Sequence, residues 1–209
     1  MALGLSSDPA KLVLDAMQGF YPPRFKDGDL EFEEVVVRRS CLFLLEILME
    51  TRPEILPDVK TEAMRLSLDW MRQMKRDSKH SLEVLGCLQL LASYKLATVF
   101  DTDKLLTYLE IVAHHNQAPE LLRALDLTDK ISSFLKNLIT KNKYTEAIRF
   151  IYAFELVNEF PPVPLLKEFV KDIPTAIHKS RMRDKSVEER ITVLNLNSQL
   201  SALSNTYDV

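Results

Sequence analysis

Glu110 and His114 stand four residues apart, with His115 adjoining, in a stretch of helical character (TDKLLTYLEIVAHH). At that spacing a carboxylate and an imidazole share a helix face, where they could exchange a proton or supply two ligands to a metal ion. The rest of either machinery is missing. A helical di-iron centre requires two Glu-x-x-His pairs and two further glutamates, and the zinc-protease signature H-E-x-x-H does not occur. The three residues therefore read as a solvated helix face, with no metal ligand set. Nucleophile and phosphate motifs are missing too: there is no G-x-S-x-G and no G-x-x-x-x-G-K-[ST]. With only four glycines, phosphate-cradling loops have little room. The expectation is a chain without cofactor, metal or small-molecule substrate.

Elements that would position any site are all helical in pattern. The 209 residues, 46% hydrophobic and 27% charged, suit one domain or a domain with an appendage, large enough to bury a core without disulfides or metals. Asp8 and Pro9 open an amphipathic helix that ends at Gly19 and the FYPP turn. Further helices are expected over Glu31–Met49, Asp58–Arg76, Ser81–Leu96 and Thr102–His115, the last capped by Asp101. Pro119 begins PELLRALD, Thr128 or Asp129 begins KISSFLKNLITKN, and Thr145 lies in the first turn of TEAIRFIYAFELV. Ser81–Leu96 is apolar on nearly every side and is expected at the centre of the core. No alternating β-branched run is bounded by turns, so the fold class is all-α, an irregular bundle or short stack of helical hairpins without a sheet. No constant repeat period emerges.

Cys41 and Cys87 lie inside apolar runs and are expected to be buried free thiols in a reducing compartment. The N-terminus lacks a signal-peptide pattern and no apolar run reaches the roughly 18 residues of a membrane span. A soluble intracellular protein is expected. After Lys171 the sequence turns polar and basic. Ser186 and Glu189 could box the start of a last helix, whose Val193, Leu196, Leu200 and Leu203 have the spacing of a short seam.

Two features could dock partners. Lys179, Arg181, Arg183 and Lys185 form a basic patch that could touch nucleic acid or serve nuclear import, although Asp184, Glu188 and Glu189 dilute it toward a solvated linker. The formal net charge of −3 also argues against a direct nucleic-acid binder. The elbows FYPP and FPPVP, the second being Phe160, Pro161, Pro162, Val163 and Pro164, could present stiff proline-rich segments, but helix termination already accounts for their prolines.

Several long phrases occur in order: LVLDAMQGFYPP, TEAMRLSLDW, SLEVLGCLQLLASYKL, EIVAHHNQAPELLRALDL and AIRFIYAFELVNEFPPVPLLKEFVKD. Together they resemble the central domain of the FRIGIDA and FRIGIDA-like family of plants, from about Pro9 to Asp172, with little likeness beyond. The resulting division is an N-terminal tail over 1–8, the helical domain over 9–172, and a basic linker with a C-terminal helix over 173–209. The resemblance implies a non-enzymatic nuclear scaffold in a transcription-activating complex that raises a floral repressor and so controls flowering time. It implies regulatory proteins as partners, with no sequence-specific DNA contact and no membrane, and assigns no contact residues. Phe160, Pro161, Pro162, Pro164, Lys179, Arg181 and Arg183 remain the candidates for partner binding. A helical adaptor outside transcription, or a helical metal protein or enzyme, are the competing readings.

Overall fold

The computed structural model describes residues 8–21 and 30–170. The chain forms two compact units, Met1–Phe160 and Pro161–Val209. In the first unit the helices are α1 (Pro9–Ala16), α2 (Leu30–Thr51), α3 (Pro57–Gln73), α4 (Ser81–Ser93), α5 (Thr102–Val112), α6 (Ala118–Ala124), α7 (Ile131–Thr140) and α8 (Tyr144–Ala153). Of the second unit, residues 162–170 form a helix, α9, with Pro164 in its first turn. Among the described residues every regular element is helical and none is a strand, so the fold is all-α.

The expected helix starts hold at their caps. The Asp8 side chain accepts from the Lys11 amide at 2.8 Å and the Asp101 side chain from the Lys104 amide at 2.9 Å. Each satisfies one of the amides that a first turn leaves open. Pro9, Pro57 and Pro119 occupy first turns, where their missing N–H costs nothing.

α4 is the axis of the first unit. Every residue from Glu83 to Tyr94 is buried, and the helix packs on α2, α3, α5 and α6. α1 lies against α2 and α3, while α7 and α8 form a hairpin joined to α6 through α8. Gly86 lets the Phe20 ring lie directly on the α4 backbone: a Cβ there would stand 2.6 Å from Phe20 Cζ. On its other side Phe20 stacks on Trp70, with ring centroids 4.1 Å apart. The buried Tyr94 hydroxyl donates to the Ala10 carbonyl at 2.8 Å and fastens α1 to α4. Lys11 reaches Asp15 at 2.7 Å and Glu62 at 2.8 Å, adding a more exposed link from α1 to α3.

Several helices end earlier than their apolar patterns suggest. The expected Ser81–Leu96, Thr102–His115 and Asp58–Arg76 helices stop at Ser93, Val112 and Gln73. A shared device accounts for the first and for three others. Lys95, Asp126, Asn142 and Glu155 all have φ between 53° and 58°, the left-handed region usually filled by glycine. Beyond each, an amide turns back to a carbonyl five residues earlier: Leu96 to Leu91 (2.9 Å), Leu127 to Leu122 (3.1 Å), Lys143 to Leu138 (2.9 Å) and Leu156 to Ile151 (2.9 Å). These are Schellman closures of α4, α6, α7 and α8. The structural repeat is thus a helix ending of fixed form at variable spacing, which a search for a constant period does not reveal.

All four left-handed residues are exposed, so glycine there sacrifices little packing. Lys95→Gly and Glu155→Gly are expected to raise stability by about 0.5–1 kcal/mol each. Asn142→Gly should be nearly neutral, because asparagine tolerates this conformation. Lys95→Val should destabilise, since a β-branched side chain is strained there. Chemical denaturation of the four variants reads the ranking.

Candidate interaction surface

Glu110 and His115, singled out from the sequence, are bonded to neighbouring helices. Glu110 does not pair with His114 and is not a solvated group, which corrects the expectation for this face. Its side chain is only 13% exposed and accepts from Lys141 Nζ at 2.6 Å and Asn137 Nδ2 at 2.9 Å. Lys143 Nζ adds an ion pair at 3.4 Å and donates to the Glu110 carbonyl at 2.9 Å. These bonds join α5 to the end of α7. Burial works to raise the Glu110 pKa, but the hydrogen bonds from Lys141 and Asn137 and the nearby lysine charges outweigh it and leave it lowered.

His114 is exposed, while His115 is half-buried with Nε2 3.0 Å from Ser81 Oγ. The two rings are 4.2 Å apart. Arg149 of α8 donates to the carbonyls of Ala113 (2.9 Å) and His115 (3.3 Å), placing a cation at the C-terminal end of α5. Burial, followed by the charges of His114, Arg149 and Arg39, pushes the His115 pKa down to about 4. Partial desolvation of the ring by the surrounding protein also lowers that of His114, although the residue as a whole is exposed. Among the described residues no group of three or more His, Cys, Asp or Glu side chains could hold a metal ion.

His115 is expected to make stability depend on pH. A histidine held neutral in the fold binds fewer protons than in the unfolded chain between its folded pKa and about 6.5. Its stabilising contribution is therefore complete above 6.5 and declines as pH falls toward 4. The melting temperature is expected to drop across that window, and His115→Gln should flatten the slope. Glu110, whose pKa is lowered, loses its contribution only below the usual carboxylate range.

The strongest buried polar arrangement joins residues that the sequence does not pair. Arg38 of α2 and Glu83 of α4 approach at 3.3 Å, with side chains 12% and 6% exposed. Glu83 Oε2 also accepts from the Lys75 amide at 3.0 Å and the Tyr21 hydroxyl at 3.3 Å. The Arg38 guanidinium lies over the rings of Phe20 and Tyr21, 5.6 and 5.4 Å from their centroids. Two charges interrupting apolar helical stretches were the available signal, because buried charges occur paired. Cys41 and Cys87 are buried and free, as expected. Burial pushes the Cys87 thiol up to about 12 and raises that of Cys41, so both remain protonated and unreactive at neutral pH.

The predicted docking residues are dispersed or lie elsewhere. In the first unit Phe160 is half-buried, its amide bonded to the Leu156 carbonyl at 2.8 Å. In the second, Pro161 and Pro164 are exposed while Pro162 is buried. Lys179, Arg181, Arg183 and the seam from Val193 to Leu203 lie outside the described residues.

A different surface stands out on α2. Cys41, Leu42, Leu45 and Leu48 face the core. The opposite side carries Val36, Ser40, Phe43, Leu44 and Ile47, with Phe43 61% and Val36 47% exposed. Val36, Arg39, Ser40, Phe43 and Leu44 line a shallow, largely apolar depression. The stripe was present in the sequence as a 4-3-4 spacing. Its exposure depends on which side of α2 receives α4, which the sequence of α2 does not state.

A family model described as Frigida-like protein matches residues 1–208, so the likeness continues past Asp172, where the sequence phrases fade. The chain is 31% identical over 203 residues to FRIGIDA-like protein 5 of Arabidopsis thaliana, covering 97% of this chain and 21% of that protein. It is 32% identical over 186 residues to FRIGIDA-like protein 3 of the same plant, covering 81% and 33%. Protein FRIGIDA matches at 24% identity over 195 residues, covering 88% and 32%. The chain thus spans between about a fifth and a third of these relatives' lengths. No solved structure matches it. With helices throughout the described fold and a family match along nearly its entire length, the chain belongs to the Frigida-like protein family.

Proposed function

We propose that this chain is a non-enzymatic helical scaffold domain acting in a plant nuclear complex that regulates transcription and flowering time. Family membership over residues 1–208 carries the reading and supports a plant, flowering-related protein. The structure contributes a physical argument of its own. Glu110, Arg38 and Glu83 bind neighbouring helices together, and both cysteine thiols are held protonated in the core. The outward stripe of α2 is largely apolar, with Val36 and Phe43 exposed, which suits contact with another protein surface. Regulatory proteins are the partners this reading calls for, recruited through several weak linked contacts whose avidity exceeds each one alone.

A tethering experiment tests the reading. Fused to a heterologous DNA-binding domain and expressed in plant cells, the chain is expected to accumulate in the nucleus and raise transcription from a reporter carrying the cognate sites. A fusion present in the nucleus that leaves reporter output unchanged would contradict it.

A further inference from the structure

We infer that the outer face of α2 is a self-complementary interface through which two copies of this chain pair antiparallel about a two-fold axis. Val36, Ser40, Phe43 and Ile47 follow the 4-3-4 spacing of a helix–helix seam, directly opposite the core-facing Cys41, Leu42, Leu45 and Leu48. Setting the axis between Ser40 and Phe43 places Val36 of one copy over Ile47 of the other, and Ser40 over Phe43. Serine is small enough to leave a hole for the Phe43 ring. Its hydroxyl already donates to the Val36 carbonyl within the helix at 3.0 Å, so its burial strands no hydrogen bond.

The flanks select this occupant. Leu44 and Val37 lie on one flank of the seam and extend it with apolar surface. Arg39 and Glu46, seven residues apart, lie on the other. Among the described residues neither is in an ion pair; Glu46 Oε1 accepts only the neutral amides of Gln89 (3.1 Å) and Gln117 (2.8 Å). The antiparallel arrangement sets Arg39 of each copy beside Glu46 of the other, making two opposite-charge pairs by symmetry. Glu50, exposed one turn beyond Ile47, closes one end of the seam on each copy. So short a contact falls below the roughly 1,200–2,000 Å² of a stable complex, and the dimer is weak, micromolar or above. The inference goes beyond the scaffold reading and holds whichever regulatory proteins the domain recruits.

Sedimentation equilibrium of the 209-residue chain tests it. Wild type is expected to show a concentration-dependent monomer–dimer equilibrium. Phe43→Asp should weaken it at least tenfold without lowering the melting temperature. Arg39→Glu and Glu46→Arg should each weaken it several-fold, because each homodimer then holds two like-charge pairs. An equimolar mixture of these two variants should regain wild-type affinity as a heterodimer, in which both pairs are again opposite in sign. Should Glu46→Arg disturb folding through Gln89 and Gln117, Arg39→Glu and Phe43→Asp alone remain decisive. A chain monomeric up to millimolar concentration overturns the inference, as does a dimer indifferent to Phe43→Asp and Arg39→Glu. A monomer whose α2 face is needed only for binding a foreign protein also overturns it, and leaves the scaffold reading standing.

Discussion

Replacing Gly86 by alanine is expected to destabilise the fold by about 1–3 kcal/mol, although alanine is the better helix former. Propensity alone predicts a gain of about 1 kcal/mol at a position inside α4. Packing predicts the reverse. The added Cβ would stand 2.6 Å from Phe20 Cζ and 2.8 Å from Phe20 Cε2, with Leu42 Cδ2 at 3.5 Å. A flexible side chain could yield at small cost, but Phe20 is fully buried. It lies between α4 and the stacked Trp70 ring and meets the Tyr21 ring edge-on. Moving it therefore disturbs the junction of α1, α2, α3 and α4 together. Gly86→Val, with a branched side chain in the same gap, should cost more and could prevent folding. Pairing Gly86→Ala with Phe20→Leu should be less destabilising than the sum of the two single changes, because the smaller side chain vacates the contested space. Urea denaturation of the four proteins decides the matter. A Gly86→Ala protein more stable than wild type would show that α3 and α4 do not approach each other around Phe20 as described.

The second large effect is expected at the Arg38–Glu83 pair. Arg38→Ala leaves the Glu83 carboxylate, whose side chain is 6% exposed, without its cation. Breaking a buried pair in this way costs roughly 3–5 kcal/mol. The lower end applies here, because the Lys75 amide and Tyr21 hydroxyl still donate to Glu83. Removing the guanidinium also strips Phe20 and Tyr21 of the cation over their rings. The double variant Arg38→Met, Glu83→Leu should recover much of the loss, since apolar replacements of buried pairs are often neutral or better. A double variant as unstable as the sum of its singles would mean that Arg38 acts mainly through its aromatic contacts.

The sequence carried the helix starts and the identity of the central helix more fully than it carried helix ends or polar contacts. Asp8, Asp101, Pro9 and Pro119 act on their own first turns, so their roles are local and visible in the order of residues. α4 was legible because an all-round apolar helix has only one stable location. Helix ends at Lys95, Asp126, Asn142 and Glu155 were hidden, because no glycine marks the left-handed turn. Glu110 was legible as a polar group but not in its role. The neighbour at i+4 is His114, whereas its partners Lys141 and Asn137 arrive from α7. Arg38 and Glu83 meet across two helices for the same reason, through a register that no local spacing encodes. The outer stripe of α2 shows the remaining limit. Its spacing is written in the chain, but its exposure is set by the burial of the opposite side against α4.

The proposed role of this domain is contact with regulatory proteins, without chemistry on a substrate or direct contact with DNA. The most direct measurement is quantitative affinity purification of the tagged chain from plant nuclear extract, before and after nuclease treatment. Enrichment of transcription-regulating proteins that survives nuclease is the expected result. Recovery of metabolic enzymes or membrane proteins alone, or enrichment that disappears once DNA is digested, would contradict it.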